Sequence, residues 1–309
     1  MELKIGTRGS TLALCQSTWV KDRIESACPD VVVSLVKIKT KGDKILDSPL
    51  SAIGGKGLFV KEIEEALLRR DIDVAVHSLK DVPADIPEGL ELAFFPPRED
   101  PRDAIISISG KYATLDDLPQ GSSVGTGSLR RSSQILHRRP DLKIVPIRGN
   151  VGTRLKKLES EGLHAIILAV AGLHRLGLSR LAEHVLSTDD LLPAPGQGAL
   201  ALEMREEDTH LKEKFRFLHH EPTETAIRAE RAFLKRLEGG CQVPIAAYGT
   251  LRGEQITLRG MVAELDGSRV IKDHVNGGRD RPESLGISLA EDILARGADE
   301  ILARIYGKG

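Results

Sequence analysis

The sequence predicts an α/β protein made of paired lobes and a smaller third unit. Three observations predict it. Short apolar runs of strand length alternate with segments of helical periodicity. A strand, a Gly-Thr turn and a serine able to cap a helix occur twice, in Ile5-Gly6-Thr7-Arg8-Gly9-Ser10 and in Val124-Gly125-Thr126-Gly127-Ser128. Two proline-rich connections, residues 96–101 and 192–198, look like hinges. A length of 309 residues fits several units, since single cores stop growing near about 250–300 residues.

Each element follows in order. After Ser10 a helical stretch runs to about Trp19, and residues 31–38 read as a strand. Phe59, Ile63, Ala66 and Leu67 share one helical face, with Lys61, Glu62, Glu64 and Glu65 elsewhere on it. Residues 73–78 read as a buried strand, and 142–147 and 164–170 as two more. Past the second hinge, residues 199–204 return to strand character. The economical topology builds lobe 1 from residues 1–97 and 198–217 and lobe 2 from 101–192, so that the chain crosses twice. Such double crossings permit hinge closure around a ligand. The third unit, 221–309, has a helix to about Leu237 and strands near 243–251, 255–263 and 269–275. A final helix is lined by Leu285, Leu289 and Ile293, with Gly297 as its C-cap.

Composition narrows the function. Lys and Arg number 44 against 45 Asp and Glu, a net charge of −1, and with 3% aromatic residues this argues against nucleic acid as the main partner. No run approaches the ~18 apolar residues of a membrane span, and no charged segment followed by an apolar one opens the chain. Three cysteines are too few for a disulfide framework and lack the paired spacing of a zinc site, so a reducing cytoplasm is expected. No apolar stripe is evident, which makes a monomer the expectation.

Charge is uneven along the chain. Residues 128–157 carry Arg130, Arg131, Arg138, Arg139, Lys143, Arg148, Arg154, Lys156 and Lys157 against the single acid Asp141. A solvated basic face is one reading. The other is a polyanion grip, because arginine dominates and forks onto carboxylate or phosphate in two bonds. The turn-to-helix junctions at Ser128 and Arg148-Gly149-Asn150 add free N–H groups that suit anions. Gly54-Gly55-Lys56-Gly57-Leu58-Phe59 is no phosphate-binding P-loop, since no Ser or Thr follows the lysine; it reads as a lid or a plain connection. His77-Ser78-Leu79-Lys80-Asp81-Val82-Pro83 follows a buried strand, where α/β sheets gather ligands. Asp81 there either faces the cleft or caps a turn. Gly239 and Gly240 free the backbone beside Cys241, which there is either an accessible, reactive thiol or an inert one, whereas Cys15 and Cys28 read as packing. No nucleophilic triad or metal-ligand spacing is present, so neither a hydrolase nor a metalloenzyme is supported.

Taken together these segments resemble the porphobilinogen deaminase (hydroxymethylbilane synthase) family. The carrying motifs run in order from residue 7 to 244. They are Thr7-Arg8-Gly9-Ser10 with Leu12, Ala13 and Gln16; the Gly54 to Phe59 segment; His77 to Pro83; and Arg98-Glu99-Asp100-Pro101-Arg102-Asp103. Ser128-Leu129-Arg130-Arg131, Arg148 to Arg154, Ala194-Pro195-Gly196-Gln197-Gly198 and Glu238 to Pro244 complete the set, with Gly286 to Ala290 beyond it.

The resemblance implies two lobes like type II periplasmic binding proteins and a small α/β domain with a three-stranded antiparallel sheet. It implies one dipyrromethane cofactor per chain, joined by a thioether to Cys241. Porphobilinogen is the implied substrate: four units add head to tail, each losing ammonia, and water releases hydroxymethylbilane from the growing polypyrrole. Asp81 is then the catalytic carboxylate and stabilises the cationic intermediate left by ammonia. Arg130, Arg131, Ser128, Lys80 and Asp81 fall at cofactor-binding positions. Arg8, Ser10, Lys56, Phe59, Arg148, Arg154 and Arg175 fall at substrate-binding positions. Each such pyrrole bears an acetate and a propionate, and that much like charge needs pairing when desolvated. Gly127 stands where the family has a second serine. Two competing readings need less chemistry. A solute-binding or sensing protein would explain hinges and arginines without requiring Asp81 or Cys241. A nucleic-acid binder would use residues 128–157.

Overall fold

The structure is a computed structural model and describes residues 1–44, 57–239 and 243–307. The chain opens with β1 (Glu2–Arg8), α1 (Thr11–Ala27) and β2 (Val32–Ile38). The short α2 (Lys41–Lys44), α3 (Lys61–Leu68), β3 (Val74–Ser78) and β4 (Leu90–Phe94) follow. Ser10 caps α1 as its sequence position predicts, its Oγ accepting from the Ala13 N–H at 3.2 Å. That helix continues eight residues past Trp19, because Val20 and Ile24 are buried against β1 and β2. All of β3 but its last residue is buried, as expected of a strand covered on both faces.

Beyond the first crossing come β5 (Asp103–Ile106), β6 (Ser123–Gly125), α4 (Leu129–Arg138), β7 (Lys143–Val145), α5 (Val151–Ser160), β8 (Ala165–Ala169) and α6 (Val170–Arg175). The second crossing leads to β9 (Leu200–Arg205) and α7 (Thr209–Phe215). The strand order of the first sheet is β2-β1-β3-β9-β4, and that of the second, read from its far edge, is β7-β6-β8-β5. These two orders repeat each other. In each, two parallel pairs are followed by one antiparallel strand, β9 or β5, that enters from a crossing. The recurring Gly-Thr pair therefore falls at the ends of equivalent strands, β1 and β6, although Gly6 and Thr7 are strand residues paired with β2 and not the turn expected. Each sheet has its own core, one around Ile5, Val74 and Phe215 and the other around Ile105, Val124 and Ile135. These are the two lobes expected, each α/β.

A third sheet, β10 (Ile245–Arg252), β11 (Gln255–Ala263) and β12 (Val270–Gly278), is antiparallel throughout. It packs with α8 (Glu221–Arg236) and α9 (Pro282–Ile293) around Phe233, Leu258 and Leu289. Gly297 does take a left-handed φ of +99°, but it does not end the helical region. The chain turns there and resumes as α10 (Asp299–Tyr306), whose Ile301 and Leu302 join the same core.

The two crossings touch backbone to backbone. The Glu99 N–H donates to the Gly198 carbonyl at 3.1 Å, and a Cβ at Gly198 would lie 2.4 Å from the Glu99 carbonyl oxygen. Gly198 also has φ +87°, so only glycine serves there without strain.

Candidate active site

The site gathers at the carboxyl ends of the central strands. From lobe 1, β1 ends at Arg8, and β3 runs into a single 3₁₀ turn, Leu79–Asp81. Arg8 Nη1 lies 3.8 Å from Asp81 Oδ2, and the Arg8 guanidinium stacks 4.2 Å above the Phe59 ring. Phe59 is itself seated against Gly42, where any Cβ would collide with the ring. Lys80 Nζ reaches Gln197 Oε1 of the second crossing at 3.5 Å. Burial and the nearby Arg131 charge pull the Lys80 ammonium down to about 8, while Asp81 and Asp103 oppose that shift. Gln16 of α1 exchanges hydrogen bonds with Ser78 at 2.9 and 3.1 Å and braces the strand end.

From lobe 2, α4 delivers Arg130 and Arg131 to one buried carboxylate. Arg130 Nη2 is 2.8 Å from Asp103 Oδ2, and Arg131 Nη2 is 2.6 Å from Asp103 Oδ1. The arginines are 4% and 5% exposed and the aspartate 0%. Burial alone would raise the Asp103 carboxyl; the two guanidiniums hold it far below the usual range. Gln197 Nε2 donates to the same Asp103 at 2.9 Å. Asp103 belongs to a motif visible in the sequence, yet nothing local marks it as the partner of arginines 27 and 28 residues away. Gln197 was equally silent.

The rest of the basic run does not act together. Arg138 pairs with Asp116 and Asp190, Arg139 with Asp141, and Lys157 with Glu161. Counting charge along the chain overstated the surplus: Arg130, Arg131 and Arg138 meet carboxylates remote in sequence, and Arg139 and Lys157 meet acids two and four residues away. Arg154 remains directed to the cleft: its Nε donates to the Gly149 carbonyl at 2.8 Å. Its guanidinium is pushed down to about 10, first by burial and then by Arg131 and Arg148, with Asp81 opposing. Those four charges therefore share one neighbourhood. Arg175 sits against the second crossing, donating from Nη2 to the Gly198 carbonyl at 2.7 Å. Its own carbonyl accepts from the Cys15 thiol at 2.7 Å, so Cys15 does more than pack: it joins α1 to α6.

Ser128 stands at the N-cap of α4 but makes no cap bond through its side chain. Its N–H instead donates to Thr126 Oγ1 at 3.2 Å. At Gly127 a Cβ would lie 2.7 Å from the Ile147 carbonyl oxygen, so this chain has no room for the family's second serine without a backbone shift. Lys56 and Cys241 lie outside the described residues.

Among the described residues the cleft thus brings Arg8, Lys80, Arg130, Arg131 and Arg154 near two carboxylates, Asp81 and Asp103. The Nε atoms of Arg130 and Arg131 are buried without a hydrogen-bond partner among the described residues. Unmet cationic donors in a desolvated place fit a ligand bearing several carboxylates. Among the described residues no cluster of His, Cys, Asp and Glu could hold a metal ion.

Comparison with known proteins agrees. The family model described as "Porphobilinogen deaminase, dipyromethane cofactor binding domain" matches residues 3–213, and the one for the C-terminal domain matches 224–295. Porphobilinogen deaminase of Geobacter metallireducens is 57% identical over 305 residues, covering 99% of this chain and 95% of its own. That of Pelobacter propionicus is 52% identical, covering 99% and 97%. Among solved structures, a probable amino-acid ABC transporter extracellular-binding protein from Bacillus subtilis aligns at 10% identity, with a TM-score of 0.43, over 71% of this chain and 90% of its own. Motif order, the cationic cleft and near-complete matches at over half identity leave one assignment: the chain belongs to the porphobilinogen deaminase family.

Proposed function

We propose that Asp81 is the catalytic carboxylate with which this chain performs the family's reaction, the head-to-tail condensation of four porphobilinogen units. The observation that carries this reading is the place of Asp81 on the turn that ends β3, with Arg8 Nη1 3.8 Å from its Oδ2; its charge also acts on Lys80 and Arg154. When bound, the dipyrromethane supplies the pyrrole end on which the new chain grows. Lys80, Ser128, Arg130 and Arg131 hold its carboxylates, and Cys241 anchors it. The buried, unpartnered Nε donors support that fit.

The chain's own residues do the rest. The Asp81 carboxylate accepts from pyrrole N–H groups and faces the positive charge that develops on the substrate as ammonia departs. Fixed charge in a water-poor site stabilises such a species without reorganising. Arg8, 3.8 Å away, holds the carboxylate by its charge, and Phe59 holds Arg8 by its ring face. Arg8, Ser10, Lys56, Phe59, Arg148, Arg154 and Arg175 bind the side-chain acids and rings of the substrate and growing chain. We further assign residues 1–97 with 198–217 to lobe 1, 101–192 to lobe 2 and 221–309 to the cofactor-bearing domain. The chain works as a cytoplasmic monomer without nucleic acid. The near-zero net charge supports the reading without nucleic acid, and no described helix is long and apolar enough to cross a membrane.

One experiment tests the site. Asp81→Ala, Cys241→Ser and the native protein are each weighed intact and assayed. Asp81→Ala should fold and lose about 10²–10⁴ in kcat, the usual worth of such a group. The native mass should exceed the polypeptide by two porphobilinogen units less two ammonias, and Cys241→Ser should lack that excess. Normal turnover by Asp81→Ala sinks the catalytic assignment, and an unchanged mass excess in Cys241→Ser sinks the anchor.

A further inference from the structure

Asp81 stands on a short turn, and its placement depends on the chain to either side. Toward the N-terminus the turn is tied to the sheet. The Leu79 N–H donates to the Ala199 carbonyl at 3.1 Å, and the Val82 N–H closes onto the Leu79 carbonyl at 3.0 Å. Toward the C-terminus, residues 82–84 belong to no strand or helix, so their carbonyls have no ladder to join. A side chain from the third domain meets them. Arg231 of α8 places Nη2 2.8 Å from the Pro83 carbonyl oxygen and 3.0 Å from that of Ala84, with Nη1 3.5 Å from that of Val82.

In the sheet that leads to this turn lies a buried carboxyl group that the reaction does not use. Glu203 of β9 is fully buried. Its Oε2 shares a 2.9 Å hydrogen bond with Nε2 of His77, four residues before Asp81 on β3. Its Oε1 has no hydrogen-bond partner among the described residues. Burial weakens the Arg231 cation, and the charges of Glu203 and Asp85 sustain it. The Asp81 turn is thereby bracketed by β9, which arrives from the second crossing, and by α8, whose far end leads toward Cys241.

We propose that Arg231 is a positioning residue for the condensation: reaching from the cofactor-bearing domain, it fixes the turn that presents Asp81. This rests on Asp81 being the catalytic carboxylate. The planar fork is required, since a single ammonium cannot span a fan of carbonyls in fixed geometry. The Arg231 guanidinium is committed to the carbonyls of this turn, so its loss should act on kcat and leave KM near native.

The test uses holoenzyme preparations of native protein, Arg231→Ala, Arg231→Lys and Asp81→Ala, each weighed intact for the cofactor. Arg231→Ala should keep the cofactor mass and a KM within about twofold, and lose about tenfold to 10²-fold in kcat, as small misplacements do. Arg231→Lys should fall between. Millimolar guanidinium chloride should restore part of the Arg231→Ala rate, and equal sodium chloride should not. A native kcat in Arg231→Ala while Asp81→Ala is inactive overturns the proposal and leaves Asp81 standing; a native kcat in Asp81→Ala removes the premise instead. A loss that tracks cofactor content and thermal stability, with no guanidinium rescue, also overturns it. If Arg231→Ala does not fold, a native kcat in Arg231→Lys has the same meaning.

Discussion

At the scale of single residues, this protein buries more ionisable groups than its neutral total suggests, and each carries a cost. Glu64 of α3 is 8% exposed and faces Glu203 and His77. Burial first, and the Glu203 charge second, raise its carboxyl to about 7, with His77 opposing. The folded state therefore holds this proton more tightly than the unfolded chain. Stability from it is complete below the ordinary glutamate value and is lost as pH rises through about 7. A shift of that size corresponds to about 3 kcal/mol. Glu64→Gln, which stays neutral, should be free of this loss. Denaturant melts of both proteins at pH 5 and pH 8 check it: native stability should fall relative to the variant, and an unchanged difference would refute the burial argument. Nothing in the sequence marks Glu64, since alternating acids on a helix face read as solvated. Asp103 was hidden for a related reason. Its motif was visible, but the pairing that gives it meaning is made in three dimensions. From its own segment Asp81 was legible only as one of two options, cleft or cap; the family resemblance singled it out, and Arg8 lies 3.8 Å from its carboxylate.

At the scale of elements, the two crossings and α8 meet at one carboxylate. Glu230 is fully buried and accepts from both Arg98 nitrogens at 2.5 and 3.2 Å, from the Gly196 N–H at 2.7 Å and from the Gly249 N–H at 2.8 Å. Those donors belong to the first crossing, the second crossing and β10. Replacing one partner of such a buried pair costs about 3–5 kcal/mol, because the other charge stays unpaired. Glu230→Gln keeps the shape but turns an amide donor toward donors. It should lower stability by roughly that amount and expose residues 96–101 and 192–198 to limited proteolysis; native resistance at both segments would contradict the hub. The strands that the sequence reading named lie within two or three residues of their expected bounds, because apolar runs bounded by turn residues leave little choice, whereas β4 and β5 went unread. The ends of helices were not. The α1 end depended on which residues β1 and β2 would cover, and Gly297 broke the helix locally while tertiary packing resumed it.

At the scale of the whole molecule, the distribution of charge is informative where its sum is not. A net charge of −1 argued against nucleic acid as the main partner, yet it hid a cleft where, among the described residues, cations outnumber carboxylates. The basic run at 128–157 read as one surplus of charge, but its members are divided in the structure. Arg138, Arg139 and Lys157 are neutralised elsewhere, and the cleft draws instead on Arg8 and Lys80 from the opposite lobe. Ordered motifs made the family legible across both lobes, whereas the contacts among domains, at Gln197, Glu230 and Arg231, left no local trace. A locally cationic cleft in a neutral body makes a prediction about salt. Attraction of the substrate's carboxylates to the partly exposed Arg8 and the half-buried Arg148 and Arg154 is screened once the Debye length shrinks below the cleft width, from about 10 Å at 0.1 M. The Asp103–Arg130–Arg131 cluster is buried and is screened far less. KM for porphobilinogen should therefore climb several-fold between roughly 0.05 and 0.5 M sodium chloride, with kcat changing much less. Steady-state kinetics across that range decide the matter: a flat KM would mean that the cleft cations act only as a rigid frame, and a parallel fall in kcat would place the exposed cations in the chemical step.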